Sequence, residues 1–405
     1  MSRPRRQKRA KVMAESRTVD RTSDRTTEQP RNEVDIFTLQ ALANETPDLI
    51  SFGLGDPDST TAPHIIEAAQ RAIDEGRIGP APSRGLPELR QAIANKLQRE
   101  NNLIVDPDSE VVVTTGSQEG LFLLVQSLID PGDEVLVPDP RYPAYDKAIT
   151  LAGGKIVLVP TSEENDFALR AADIEAKLTE RSKALLLITP SNPTAAVIPP
   201  DELQRIAELA IERDLIVISD EIYEYFLYED ARHVSIGSLP GMKERTITLN
   251  GLSKSHAMTG WRVGYIAAPA EFVAAVSSLK AMVNIHAPTV SQWAAVAALE
   301  GPQDAVSEMR ANYARRRRLM MDGLKEMGFT FGSSKGAFYI WANISSTGMD
   351  AMQLCYHWLR EAGVMVFPGS RFGERWKDYM RFTLLQPDDV ILQALERMDN
   401  ALASR

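Results

Sequence analysis

Disulfide chemistry is closed to this chain, because Cys355 is the only cysteine among its 405 residues. A reducing, cytoplasmic setting fits that composition. No apolar run approaches the length that crosses a bilayer, so no membrane partner is expected. Positive charge is in deficit. The formal net charge is −10, which argues against nucleic acid as a general partner. Internal repeats are absent, and biased composition is confined to the N-terminus. The rest, 44% hydrophobic and 25% charged, is ordinary for a soluble globular protein. The chain is too long for one small core, so two domains, or one large domain with an appendage, are expected.

Residues 1–32 differ from the remainder. They carry Arg3, Arg5, Arg6, Lys8, Arg9, Lys11, Arg17, Arg21, Arg25 and Arg31 with almost no large apolar side chains. Such a segment buries too little surface to offset its ordering entropy, and a disordered, solvated basic tail is expected. It lacks the apolar stretch of a secretory signal, and Glu15, Asp20, Asp24 and Glu28 count against an organelle transit peptide. An arm that contacts an anionic surface is the alternative.

Beyond the tail, a short helical pattern from Ile36 to Glu45 leads into a strand and irregular loop over Leu49–Asp58. Helices are predicted over His64–Glu75 and Leu86–Glu100, separated by a Pro/Gly-rich loop. Apolar strands then alternate with helices. The strands are Val111–Thr114, Glu134–Pro138, Lys155–Val159, Ala184–Thr189, Leu215–Ser219, Thr246–Asn250 and Val263–Ala267. The helices are Gln118–Ile129, Arg141–Ala152, Ile174–Thr179 and Pro200–Arg213. This alternation predicts an α/β fold with a mainly parallel sheet covered on both faces by helices. Ligands of such sheets lie at the carboxyl ends of the strands.

From Phe272 to about Met327 the pattern is helical, with Arg315–Arg318 expected on a solvated face. Strands at Phe338–Trp341, Val364–Val366 and Met380–Thr383, mixed with helices, suggest a smaller α+β domain. The expected division is a tail at 1–32, a large domain at 62–284, and a small domain built from 33–61 and 285–405.

Chemistry gathers after the strands. Thr114-Thr115-Gly116-Ser117-Gln118 joins a strand to a helix start, where free N–H groups and the helix dipole can bind an anion; a plain Ser117 N-cap is the alternative. Ile216-Val217-Ile218-Ser219-Asp220 ends a buried strand in a carboxylate that needs a cationic partner. Lys254 follows the apolar run Thr246-Ile247-Thr248-Leu249. Desolvation there can leave its amine neutral near pH 7 and able to form a Schiff base.

Ser253-Lys254 followed by Gly260-Trp261-Arg262-Val263-Gly264 resembles the pyridoxal-phosphate lysine segment of the class I/II aminotransferases, which have fold type I. The resemblance spans roughly residue 36 to the C-terminus. It implies pyridoxal 5′-phosphate (PLP) on Lys254, with the phosphate held by the turn Gly116, Ser117 and Gln118 and by Arg262, and Ser253 also against the cofactor. It further implies Tyr142 stacked on the ring, Asp220 on the ring nitrogen, and Asn192 and Tyr223 on the ring oxygen. The substrate α-carboxylate falls to Arg381, Gly55 and Asn192. No metal is implied; a homodimer is.

Three positions depart from the family pattern. Ala195 stands where Gly usually follows Asn-Pro-Thr, and Gly251 where a phosphate-binding Ser or Thr is common. Pro80 stands where a tyrosine usually reaches the neighbouring subunit's phosphate. Tyr145 is expected to be core.

The activity implied is amino-acid transamination, in which Lys254 shuttles a proton and an amino acid exchanges its amino group with a 2-oxo acid. Gln118, where some acidic-substrate relatives carry Lys, points to neutral or aromatic amino acids paired with 2-oxoglutarate. A carbon–sulfur β-lyase, or another outcome on the same fold, is the alternative enzyme. A ligand-sensing regulator is a third reading, but residues 1–32 are too short and too poor in apolar residues for the added DNA-binding domain.

Overall fold

The computed structural model describes residues 36–404; the basic tail lies outside them. After a two-residue strand, β1 (Ile50–Ser51), seven strands build one sheet. They are β2 (Val111–Thr114), β3 (Glu134–Asp139), β4 (Lys155–Pro160), β5 (Ser182–Ile188), β6 (Ile216–Asp220), β7 (Thr246–Gly251) and β8 (Gly264–Ala267), in the order β2-β8-β7-β6-β5-β3-β4. Only β8 runs against its neighbours β2 and β7. The expected fold class, a mainly parallel sheet between helices, is what forms.

The period of two in the strands sorts side chains onto the two faces. Ala184, Leu186 and Ile188 of β5 join Val135, Val137 and Ile218 in one cluster, under the helix Ser117–Leu128. Leu185 and Leu187 face the other way, onto Leu203, Ile206 and Ala210 of the helix Pro200–Glu212. A third cluster packs Val111, Val113 and Tyr265 against the helices Pro87–Asn101 and Thr289–Glu300. With both faces covered, the open edge at the strand carboxyl ends is where polar residues emerge.

A second, antiparallel sheet has the order β12-β13-β10-β9, from β9 (Thr330–Phe331), β10 (Tyr339–Asn343), β12 (Phe367–Pro368) and β13 (Tyr379–Thr383). β1 pairs in parallel with β11 (Val364–Met365). Phe52 then continues the ladder, donating to Met365 and accepting from Thr383. This pairing carries Gly53 to Arg381 of β13, which donates to its carbonyl, and leads the chain on to Gly55 and Asp56 beside Lys254.

Three local expectations are corrected. The helix expected from Arg141 starts at Ala144, because Pro143 disfavours helical geometry at the residue before it. The helix expected at Ile174–Thr179 instead covers Ala171–Glu175, anchored where the Ala171 N–H donates to Glu202. Arg315–Arg318 do not form a uniformly solvated face. Arg315 and Arg318 are exposed, but Arg316 and Arg317 are buried within the helix Asp304–Glu326. Arg316 donates to Asp58 at 2.9 Å, and Arg317 donates to the Ser334 carbonyl at 2.8 Å and to Glu229 at 2.9 Å.

Candidate active site

One cavity of about 270 Å³ opens at the carboxyl edge of the large sheet. It is lined by Gly55, Ser117, Gln118, Tyr142, Asn192, Asp220, Tyr223, Ser253, Lys254, Arg262 and Arg381, which is every candidate residue except Gly116. Gly116 abuts the wall from behind: a Cβ there would lie 2.5 Å from the Arg262 guanidinium.

Asp220 is the last residue of β6 and is buried. Burial pushes its pKa up to about 6, against the hydrogen bonds that favour its charged form. Those come from the Tyr145 hydroxyl at 2.8 Å and the Ile222 N–H at 3.3 Å. No cation touches it among the described residues. A buried carboxylate in that state is a receptor for positive charge.

Lys254 follows β7 and donates to the Gly55 carbonyl at 2.7 Å and to Asp56 at 2.9 Å. Burial lowers its pKa; Asp56 opposes the shift, while the nearby Arg381 and Arg262 charges add to it. The amine is thus easier to deprotonate than a surface lysine. That suits a nucleophile or proton carrier.

Arg381 lies on β13, opposite Trp341 and Phe367 in the ladder. It donates to Asn192 at 2.9 Å and to the Gly53 carbonyl at 2.5 Å. Its guanidinium faces the rings of Tyr339 at 4.5 Å and Phe372 at 4.8 Å. It is buried with no carboxylate partner among the described residues, and burial pulls its pKa down. Its Nε has no partner among the described residues. A buried cation in this condition awaits an anion.

The third charged corner is the turn before the helix Ser117–Leu128. Gly116 holds φ +80° and occupies the N-cap, and no side chain caps the helix; Ser117 is therefore inside the first turn, not its cap. The close approach of β8 is tight, since a Cβ on Gly264 would lie 2.4 Å from the Ser117 nitrogen. Arg262, itself left-handed at φ +54°, donates to the Thr259 carbonyl at 3.1 Å. Guanidinium and helix N-terminus converge there, an arrangement that attracts anions.

The departures from the family pattern have physical consequences. Ala195 sits at φ +59°, a left-handed geometry that glycine takes more cheaply. A side chain at Gly251 would meet the Val263 carbonyl at 3.0 Å and the Gly264 Cα at 3.1 Å, so β8 would have to give way. Pro80 is exposed.

Sequence spacing missed several wall residues. Tyr145, expected as core, is buried but spends its hydroxyl on Asp220. The Tyr339 hydroxyl lies 2.7 Å from that of Tyr223. Asp56, Phe367, Arg371 and Phe372 also line the cavity. Tyr145, Tyr339 and Asp56 sit within segments that the sequence singles out, but nothing local signals their direction; Phe367, Arg371 and Phe372 lie in the stretch after Val366, where the sequence predicts no element.

Residues 47–398 match the family described as aminotransferase class I and II. The chain is 43% identical over 377 residues to the aspartate aminotransferase of Pyrococcus abyssi, covering 92% of this chain and 97% of that one. It is 41% identical to aromatic-amino-acid aminotransferase 2 of Thermococcus litoralis, with the same coverage. Among solved structures, the aromatic aminotransferase of Pyrococcus horikoshii superposes with a TM-score of 0.87 at 42% identity, covering 91% of this chain and 99% of that one. The aspartate aminotransferase of Thermus thermophilus with maleate gives 0.88 at 37% identity, covering 94% and 99%.

Proposed function

The chain belongs to the class I and II aminotransferases, and from there we propose that its cavity carries pyridoxal 5′-phosphate on Lys254. The reaction is amino-acid transamination. The observation that carries the cofactor assignment is Asp220, a buried carboxylate at a pKa of about 6 with a tyrosine and one amide as partners. A protonated pyridine nitrogen is the cation that would return it to its charged form. The Gly116 turn supports the phosphate position separately. A side chain at Gly116 would displace Arg262, so the turn offers an anion backbone N–H groups rather than carbon.

When bound, the cofactor supplies an electron sink for the bond broken at the substrate Cα. The protein's part is positioning and proton transfer. Arg381 would grip the α-carboxylate through its fork, with Gly55 and Asn192 closing the same end. Lys254, its pKa lowered by burial, would carry the proton between the substrate Cα and the cofactor C4′. Asn192 and Tyr223 would hold the ring oxygen and Tyr142 would cover the ring. Gly116, Ser117, Gln118, Ser253 and Arg262 would hold the phosphate.

The relatives named for aspartate and aromatic substrates support amino donors of both kinds, with a 2-oxo acid as acceptor. A homodimer is supported by the exposed apolar residues Ile78, Met282, Val283 and Ile285, flanked by Asn284, which donates to Thr115 of the phosphate turn at 2.7 Å. The single cysteine supports a cytoplasmic setting. We assign 62–284 to a large domain and 33–61 with 285–405 to a small one, since β2–β8 fall wholly in the first range and β1 and β9–β13 in the second.

The test is an absorbance spectrum of the purified protein before and after adding amino acids without a 2-oxo acid. A band near the visible edge should convert to a stable band at shorter wavelength. Lys254→Ala should lower the turnover at least about 10³-fold. Pyruvate and ammonia accumulating under a persistent band would point to β-elimination instead. No band after adding PLP would refute the cofactor assignment.

A further inference from the structure

Two lysines among the described residues are almost wholly buried, Lys96 and Lys280. Lys96 pairs with Glu224, beyond the end of β6. Lys280 lies in the helix Ala270–Val283 and has no part in the chemistry assigned to the cavity. Burying an ammonium group is costly unless it is paired and hydrogen-bonded. What it is paired with is informative.

Its contacts close a ring around the residue that precedes Gly116. Lys280 donates to Glu119 at 3.0 Å and to the side-chain oxygen of Asn284 at 2.8 Å. The Asn284 amide donates in turn to the Thr115 hydroxyl at 2.7 Å and to the other Glu119 oxygen. Glu119 then accepts from the Thr115 N–H at 2.6 Å. Thr115, Glu119, Lys280 and Asn284 hold one another through main chain and side chains together.

The ring joins two helices where the anion turn is made. Thr115 and Glu119 flank Gly116, Ser117 and Gln118, so both ends of the turn are tied to Lys280 and Asn284. Asn284 is fixed as well, its N–H donating to the Lys280 carbonyl at 3.1 Å. Val273 and Val276 of the same helix join the apolar cluster under Ser117–Leu128. Ammonium and carboxylate neutralise each other, and such a buried pair adds little stability over apolar packing of the same volume. What it fixes is direction.

Direction matters here because other phosphate contacts are missing. Gly251 and Pro80 stand where the family commonly offers a hydroxyl. More of the task falls to the backbone N–H groups at the helix start, whose strength depends on where they point.

We propose that Lys280, Glu119 and Asn284 are positioning residues for the phosphate turn, aiming the N–H groups of Ser117 and Gln118 at the phosphate of a pyridoxal cofactor. None of the three lines the cavity, so each acts through the turn. The role rests on the cofactor assignment made under the proposed function.

Full-length protein freed of cofactor is titrated with pyridoxal 5′-phosphate and with pyridoxal, which has the ring and aldehyde but no phosphate. In Asn284→Ala, Glu119→Gln and Lys280→Met, affinity for pyridoxal 5′-phosphate should fall at least about tenfold while that for pyridoxal stays within about twofold. Asn284 is only half-buried and its variant keeps the ion pair, so this arm survives if Lys280→Met does not fold. Equal losses for both ligands, or no loss for either, overturn the positioning role. A selective loss in Lys280→Met alone overturns it too, since that marks the lysine charge rather than the held geometry. A wild type that binds neither ligand overturns the cofactor assignment beneath it.

Discussion

Asp220, Glu221 and Glu224 lie within five residues at the end of β6, yet they meet opposite treatment. Glu224 is surrounded by donors. Lys96 pairs with it, and Asn101 and Asn250 each donate to it at 2.7 Å. Burial pushes its pKa up, but the Lys96 and His233 charges overcome this and hold it below the usual range. Glu221 likewise accepts from Ser219 and Ser235 at 2.8 Å and faces His233 at 3.1 Å. Asp220 faces the cavity with no cation beside it among the described residues, and its pKa rises. Behind the site the protein satisfies its own charges; inside it Lys254 pairs with Asp56, but Asp220 and Arg381 have no oppositely charged partner among the described residues. The difference separates structural from functional ionisable groups better than residue type does.

The largest effect should come from breaking the satisfied side. Lys96→Met leaves Glu224 buried without its nearest cation and should cost about 3–5 kcal/mol in chemical denaturation. A loss below about 1 kcal/mol would mean that Glu224 is supported by its neutral partners alone.

Asp220→Asn should act with the opposite sign in the cofactor-free protein. The folded pKa of about 6 lies above the unfolded value of 3.8, so the folded state binds more protons between those values and stability falls as pH rises through them. Relative to Asp220→Asn, the wild type should lose up to about 3 kcal/mol between pH 4 and pH 7. Parallel pH–stability curves for the two proteins would rule this out. Transamination should nevertheless collapse in the variant.

Tyr145→Phe gives the smallest expected change, a cost of about 1–2 kcal/mol for the lost charge-assisted bond. Its diagnostic is direction. Without the hydroxyl that favours the carboxylate, the pH step assigned to Asp220 should move upward. A step that stays in place would show that Tyr145 is packing only.

Much of this site was legible beforehand because it is local. Asp220, Lys254, Asn192 and Tyr142 each come after an apolar run, and an α/β sheet exposes the residues beyond its strand ends at one edge. Tyr145 is core, as expected of a buried aromatic between a strand and a helix, and only the hydroxyl partner 75 residues on reveals its second role. Arg316 and Arg317 were misjudged because a run of four arginines reads as solvated, whereas Asp58, the Ser334 carbonyl and Glu229 arrive from distant segments to receive them.

The sequence alone determined the alternation of strands and helices, the parallel sheet and the edge at which chemistry gathers, since each arises from periodicity within a few residues. Tertiary structure decided the charge balance. Arg381 meets Gly53 across 328 positions, and Arg371 and Arg381 share one ring. Whether a buried charge is paired depends on distance in space, which local spacing does not encode.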